Sequence, residues 1–307
     1  MQTKNIISVA AAVASFAGAA FAGTPAKIVA PPMMPVAQPS PLSGSVYAGY
    51  ASNYTCRGIV ASHSLVEGDG VIPVGVNLNY KVNDADSIVG AASYTSLISG
   101  HHAFGIRGIS FENEANFNLG WKNDGGLMKN LSTTVGWNLI HGGLLGNMAK
   151  YNYSEITRDG VGRRHAHSVA QEFYLNLNYD ICKSWFAGIT TSYGFQGMTG
   201  WWFQPYVGYK ATLCSAADLV LSGGMSATSG YFDSKSVFMT NGSQAWWVRA
   251  DLPIKLGMEN LSLVPFVSFN WLGNGGMKAN KTLNRAVELK PFKNFGVVAG
   301  ANLVYSF

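Results

Sequence analysis

The chain has 307 residues, 48% of them hydrophobic and 12% charged, with a net charge of +5 and a mean hydropathy of +0.11. An ordinary soluble domain carries about 25% charged residues, so this chain is poor in charge, which argues against intrinsic disorder. It also argues against a nucleic-acid partner in spite of a pI near 9.0. A transmembrane helix needs a run of roughly 18 or more apolar residues. The longest run after residue 23 is the four residues Ala245 to Val248, which excludes transmembrane helices. With 36 glycines and 12% aromatics added, the composition points to an all-β transmembrane antiparallel up-and-down β-barrel.

Met1 to Ala22 reads as a secretory signal peptide. Lys4 supplies the positive start, Ile6 to Ala20 the apolar stretch, and Ala20-Phe21-Ala22 an A-x-A cleavage site. Residues 23–43 hold six of the eleven prolines. They are expected to form a Pro-rich periplasmic linker that cannot join a sheet. The barrel is expected over 44–307.

From Ser45 onward apolar and polar residues alternate with period two. Phe111, Ala115, Phe117, Leu119 and Trp121 share one parity, and Glu112, Glu114, Asn116, Asn118 and Lys122 share the other. The pattern predicts about twelve strands: 45–52, 71–82, 87–98, 110–122, 131–141, 168–180, 185–194, 201–212, 218–228, 244–256, 261–272 and 293–307. Connections after even strands are short and those after odd strands mostly long. Short periplasmic turns and long outer loops are the expected asymmetry. On the lipid-facing parity Tyr80, Trp121, Tyr179, Trp185, Tyr209 and Tyr305 form one aromatic girdle. Phe111, Trp137, Tyr193, Trp201, Trp246, Trp271 and Phe295 form the other.

The opposite parity supplies pore-lining candidates. Glu112, Glu114, Glu172, Arg249 and Asp251 fall in the outer or middle part, and Lys81, Lys122, Asp180, Lys210 and Lys255 toward the periplasm. Such a balanced interior suits either an open channel or a lumen closed by ion pairs, and twelve strands lie between filled small barrels and wide porins. The outer loops carry a basic cluster, Lys150, Arg158, Arg163 and Arg164 in 142–167, then Lys278, Lys281, Arg285 and Lys290 in 273–292. These can draw anions to the mouth or pair with phosphates of outer-leaflet lipopolysaccharide. Loop 142–167 is the longest, and by analogy with general porins it is a candidate to fold inward.

Ser52-Asn53-Tyr54-Thr55-Cys56-Arg57-Gly58-Ile59 closes the first strand, with Pro73, Gly75 and Tyr80 in the second. These residues resemble the S-D-Y-x-x-R-G-I pattern near the start of the TorF-type porins, an outer-membrane family, with Asn53 in place of Asp and Cys56 in place of an aromatic residue. The resemblance implies an outer-membrane channel. Physically, Arg57-Gly58 suits a strand-to-loop corner, where glycine permits a positive φ and arginine can reach a lumen carboxylate. At the other end, Leu303, Tyr305 and Phe307 alternate up to a terminal phenylalanine. This looks like the signal that the barrel assembly machinery reads.

Enzyme chemistry finds little support. None of His63, His101, His102, His141, His165 and His167 has a serine two residues on, the spacing a barrel phospholipase uses. His165 and His167 with His101 and His102 lack the carboxylates or cysteines of a strong metal motif. No metal and no cofactor is expected. Cys182 and Cys214 fall in turns two strands apart and could pair if the turns bend together. The expected function is an outer-membrane, porin-like channel passing small hydrophilic solutes, favouring anions at its rim. The alternative is a closed barrel acting through its loops as an adhesin, receptor or structural envelope protein. Lipid and lipopolysaccharide surround either, and a homo-oligomer is compatible with both.

Overall fold

A computed structural model of the chain describes residues 40–60, 70–98, 113–142, 169–196, 199–230, 241–287 and 293–307. The signal-peptide and most of the linker expectations, Glu112, Lys150, Arg158, Arg163, Arg164, Lys290, Phe111 and every histidine except His141 lie outside these residues.

The described strands are β1 (Leu42–Ala51), β2 (Thr55–Cys56), β3 (Ile59–Val60), β4 (Val71–Lys81), β5 (Asp86–Leu97), β6 (Glu114–Asp124), β7 (Leu131–His141) and β8 (Val169–Asp180). There follow β9 (Trp185–Gln196), β10 (Gly200–Cys214), β11 (Ala217–Ser229), β12 (Gly242–Asp251), β13 (Ile254–Lys255), β14 (Leu261–Leu272) and β15 (Phe295–Ser306). One helix, α1 (Asn274–Val287), precedes β15.

All strands but β2 and β3 form one sheet of antiparallel neighbours. The first strand pairs with the last, Ser45 against Ser306 through Ala51 against Gly300, so the sheet closes. The short β13 continues the path of β12 along β14, which makes a wall of twelve strands. The break falls at Leu252-Pro253, because proline has no N–H to give the ladder. A single strand over 244–256 is thus corrected to two pieces. Leu42 and Ser43, expected in the linker, instead belong to β1 and pair with Tyr80 and Asn79.

The period-two pattern now has a physical meaning. On one face Leu119 is 58% exposed, Phe173 59% and Trp246 50%. An apolar belt of this kind running round a closed wall suits a bilayer core, not water. The girdle residues Tyr80, Trp121, Tyr179, Trp185, Trp201, Trp271, Phe295 and Tyr305 are exposed on that same face. No described helix is long and apolar enough to cross a membrane.

The buried hydrophobic residues lie at one end. Ala51, Ile140 and Leu272 close their strands, Val71, Ala170, Trp202, Ala245 and Val298 lie near the start of theirs, and Tyr54, Ile59 and Val60 belong to the segment after β1. All sit where the longer connections leave the wall. Among the described residues the turn-end half of the interior contains no buried hydrophobic side chain.

Candidate functional site: the barrel interior

The stretch after β1 does not stay outside as a loop. Thr55 and Cys56 pair with Val60 and Ile59 in a two-stranded hairpin. Its corner is Arg57-Gly58, with φ of 51° and 85°. The glycine is needed twice, for the left-handed backbone and because a Cβ there would lie 2.9 Å from Trp247 Cδ1. Ile59 and Val60 are almost fully buried.

Contacts from many strands hold this hairpin. The Tyr54 hydroxyl donates to the Glu114 carboxylate on β6. The Arg57 guanidinium pairs with Glu172 on β8 and lies 4.8 Å from the centre of the Trp202 ring on β10. Val60 packs within about 3.1 Å of where a Cβ of Gly296 on β15 would stand, and its carbonyl accepts from Lys293 N at 3.0 Å. Back at β1, Ser52 N donates to Ala299 O at 2.8 Å. The hairpin therefore crosses the interior at the loop end. Glu172 is fully buried, and a carboxylate in that position requires a partner such as Arg57. Cys56 lies beside this cluster, and burial, followed by the Glu114 charge, pushes its thiol well above the ordinary range.

The other charged candidates divide by position. Lys81, Glu114, Lys122, Glu172, Asp180, Lys210, Arg249, Asp251 and Lys255 all fall on the parity opposite the apolar belt. Arg249 and Asp251 close on each other through a bidentate pair at 2.6 to 2.9 Å, with the guanidinium 4.0 Å from the Phe266 ring centre. Lys122 pairs with Asp124 at 2.5 Å and the exposed Lys81 with Asp84 at 3.2 Å. Lys210 stands 4.9 Å from the Phe186 ring centre. Asp180, Lys210 and Lys255 are exposed at the turn end.

Between the hairpin and these lysines the wall is neutral. The Tyr174 hydroxyl donates to Asn118 Oδ1 at 2.8 Å. The Tyr206 hydroxyl shares its one proton between Asn178 Oδ1 at 3.3 Å and Asn176 Oδ1 at 3.4 Å, and Thr190 donates to Asn176 at 3.2 Å. Charges stand out in the sequence and these amides and phenols do not, because neutral polar residues carry no signal until the register is known.

The 273–292 connection is also not a plain loop, because α1 occupies most of it. In a helix Lys278, Lys281 and Arg285 stand at i, i+3 and i+7 and so share one face. Gly276 lies against Leu272 and the Gln244 carbonyl, and Asn280 is buried, so the helix packs on the loop end of β12 and β14. Cys182 and Cys214 are exposed free thiols. The suggested disulfide is corrected: Cys182 lies in the β8–β9 turn, whereas Cys214 pairs across to Ala217 in the β10–β11 turn. Among the described residues no group of three His, Cys, Asp or Glu could hold a metal. His141 is exposed on the belt parity.

No protein-family model and no curated protein matches the sequence. Among solved structures the chain is similar to the KdgM porin, at 9% identity and a TM-score of 0.43, over 86% of this chain and 99% of that one. It is similar to LpxR from Salmonella typhimurium at 9% identity and a TM-score of 0.45, over 85% and 99% of the two chains. It is also similar to the COG4313 outer membrane channel from Pseudomonas putida F1 at 11% identity and a TM-score of 0.44, over 88% and 97%.

Proposed function

We propose that the chain is an outer-membrane channel for passive diffusion of small hydrophilic solutes, narrowed at its loop end by the β2–β3 hairpin. The observation that carries this reading is the one-sided core. A barrel built only as a scaffold fills its interior with side chains along its length. Here the described buried hydrophobic side chains are confined to the hairpin's surroundings, and the remaining inner wall carries polar side chains and half-buried aromatic rings. The mechanism is diffusion through that polar lumen, without chemistry or cofactor.

Selectivity among small ions is weakly anionic in this account. Arg249 and Asp251 cancel each other, and Glu172 is neutralised by Arg57. Lys210 and Lys255 outnumber Asp180 at the turn end and α1 carries Lys278, Lys281 and Arg285 at the other, with Glu114 beside the hairpin as the opposing charge. The Tyr54, Arg57 and Gly58 segment supports membership of the TorF-type porins, since the residues that carry the resemblance are those that build the hairpin. Lipopolysaccharide phosphates for the α1 face, recognition of Leu303, Tyr305 and Phe307 by the barrel assembly machinery, and homo-oligomers belong to the same reading.

The buried cluster under the hairpin favours a second reading, a barrel closed at the loop end that works through its loops. Single-channel recording in a planar bilayer under a salt gradient separates the two. The channel reading expects discrete steps and a reversal potential of the sign that marks mild anion preference. Folded protein that inserts and gives no steps favours the closed barrel.

A further inference from the structure

Six inner aromatic rings share one arrangement. Tyr47 stands directly across from Gly75, Tyr174 from Gly136, Phe186 from Gly208, Tyr206 from Gly188, Trp247 from Gly224 and Phe266 from Gly300. In each case the ring occupies the space a side chain on the facing strand would need. A Cβ on Gly136 would meet the Tyr174 hydroxyl at 2.6 Å, one on Gly120 beyond it the same hydroxyl at 2.6 Å, and one on Gly188 would meet Tyr206 Cζ at 2.5 Å. The rings therefore lie along the wall over missing side chains instead of standing out into the lumen.

A ring laid along the wall turns its other face inward. Phe266 and Phe186 demonstrate this, since the Arg249 guanidinium and the Lys210 ammonium sit over them at 4.0 and 4.9 Å. Tyr174 and Tyr206 are half-buried and carry no such cation among the described residues. Beside them Asn118, Asn176 and Asn178 use their carbonyl oxygens to accept from Tyr174, Tyr206 and Thr190. Their NH2 donors have no acceptor among the described residues. None of these bonds involves a charged group.

We infer that this stretch of wall, from β6 to β10, is a binding site for neutral polyhydroxylated solutes, saccharides in chemical class, with Tyr174 and Tyr206 as stacking platforms and Asn118, Asn176 and Asn178 as hydrogen-bond partners. A pyranose ring presents an apolar C–H face and a rim of hydroxyls, and it meets both needs at once. An apolar solute would leave the amide donors unpaired. A charged one would lose water without gaining a counter-ion from these tyrosines and asparagines. The glycines belong to the device, since they let a large aromatic face line the wall without blocking the path.

The inference rests on the channel reading, and its test keeps the two apart. The folded chain is recorded in a planar bilayer with millimolar maltohexaose, then with polyethylene glycol of matching size. Interruptions of the current by maltohexaose and not by the polymer support the site. Tyr174→Leu and Tyr206→Leu should weaken the block by about fivefold or more, as loss of an aromatic contact does. Should either variant misfold, Asn176→Ala with Asn178→Ala replaces it, with the same expected direction. Steps that maltohexaose disturbs no more than the polymer overturn the site while the channel stands, and so does block that all variants keep at full strength. Absence of steps overturns the channel, and calorimetric titration of the micelle-folded barrel then decides the site: binding heat lost in the tyrosine variants upholds it, and no heat overturns it.

Discussion

Glu172 and Arg57 are the pair on which the hairpin depends. The carboxylate is fully buried and the guanidinium partly so. Removing one member of such a pair strands the other charge and costs about 3 kcal/mol. Glu172→Gln should therefore lower the urea midpoint of the micelle-folded barrel, and a midpoint equal to the parent's would show that the pair does not anchor the hairpin. Cys56 offers a second probe in the same cluster. With its thiol pushed up mainly by burial, it stays protonated where an ordinary thiol ionises, and thiolate is the reactive form. Maleimide at neutral pH should modify Cys182 and Cys214 in the folded protein and Cys56 only after unfolding or in Glu172→Gln. Because the folded thiol binds its proton more tightly than the unfolded one, this contribution to stability is intact below about pH 9 and is lost as pH rises beyond it. The parent should lose more stability between pH 8 and 10 than Cys56→Ala, and equal losses would remove the thiol from the account. Arg57 and Gly58 could be singled out in the sequence as a corner, but Glu172 could not be named as the partner. The two lie 115 positions apart, and only a closed barrel brings β8 opposite the segment after β1.

At the scale of elements the sequence was most legible where one face meets lipid. Alternation located β7 and β14 at their observed bounds, since a wall with an apolar outside and a polar inside forces period two along each strand. The hairpin escaped because two residues per strand are too few to alternate, although Ile59-Val60 is an apolar pair directly after the Arg57-Gly58 corner. Helix α1 escaped because Gly275 and Gly276 argue against a helix at its start. The ring-on-glycine joints were invisible for a different reason. Each depends on the cross-strand register, and a slip of one residue would destroy all of them. They predict that Gly136→Ala is costly far beyond helix or strand propensity. The new methyl would collide with the Leu119 carbonyl oxygen and with the Tyr174 ring edge, and overpacking of this kind costs about 1–3 kcal/mol. The double variant Gly136→Ala with Tyr174→Ala should recover part of that loss, because the colliding ring is gone. Independent, additive losses in urea unfolding would argue that the ring does not occupy the glycine's space.

Over the whole molecule, charge and packing run along the barrel axis. The loop end holds the hairpin, the buried apolar cluster and α1, while the turn end opens onto exposed Lys210, Lys255 and Asp180. In the proposed channel this asymmetry assigns the constriction to the hairpin, a role the sequence offered to the longer 142–167 loop, which lies outside the described residues. The most direct test is the unitary conductance of the folded chain in a planar bilayer, compared with that of Glu172→Gln, whose hairpin has lost its anchor. Discrete steps are expected from the parent and larger or noisier ones from the variant, as the hairpin leaves the lumen. Identical conductance in the two would contradict the hairpin as the constriction, and silence from both would contradict the channel itself.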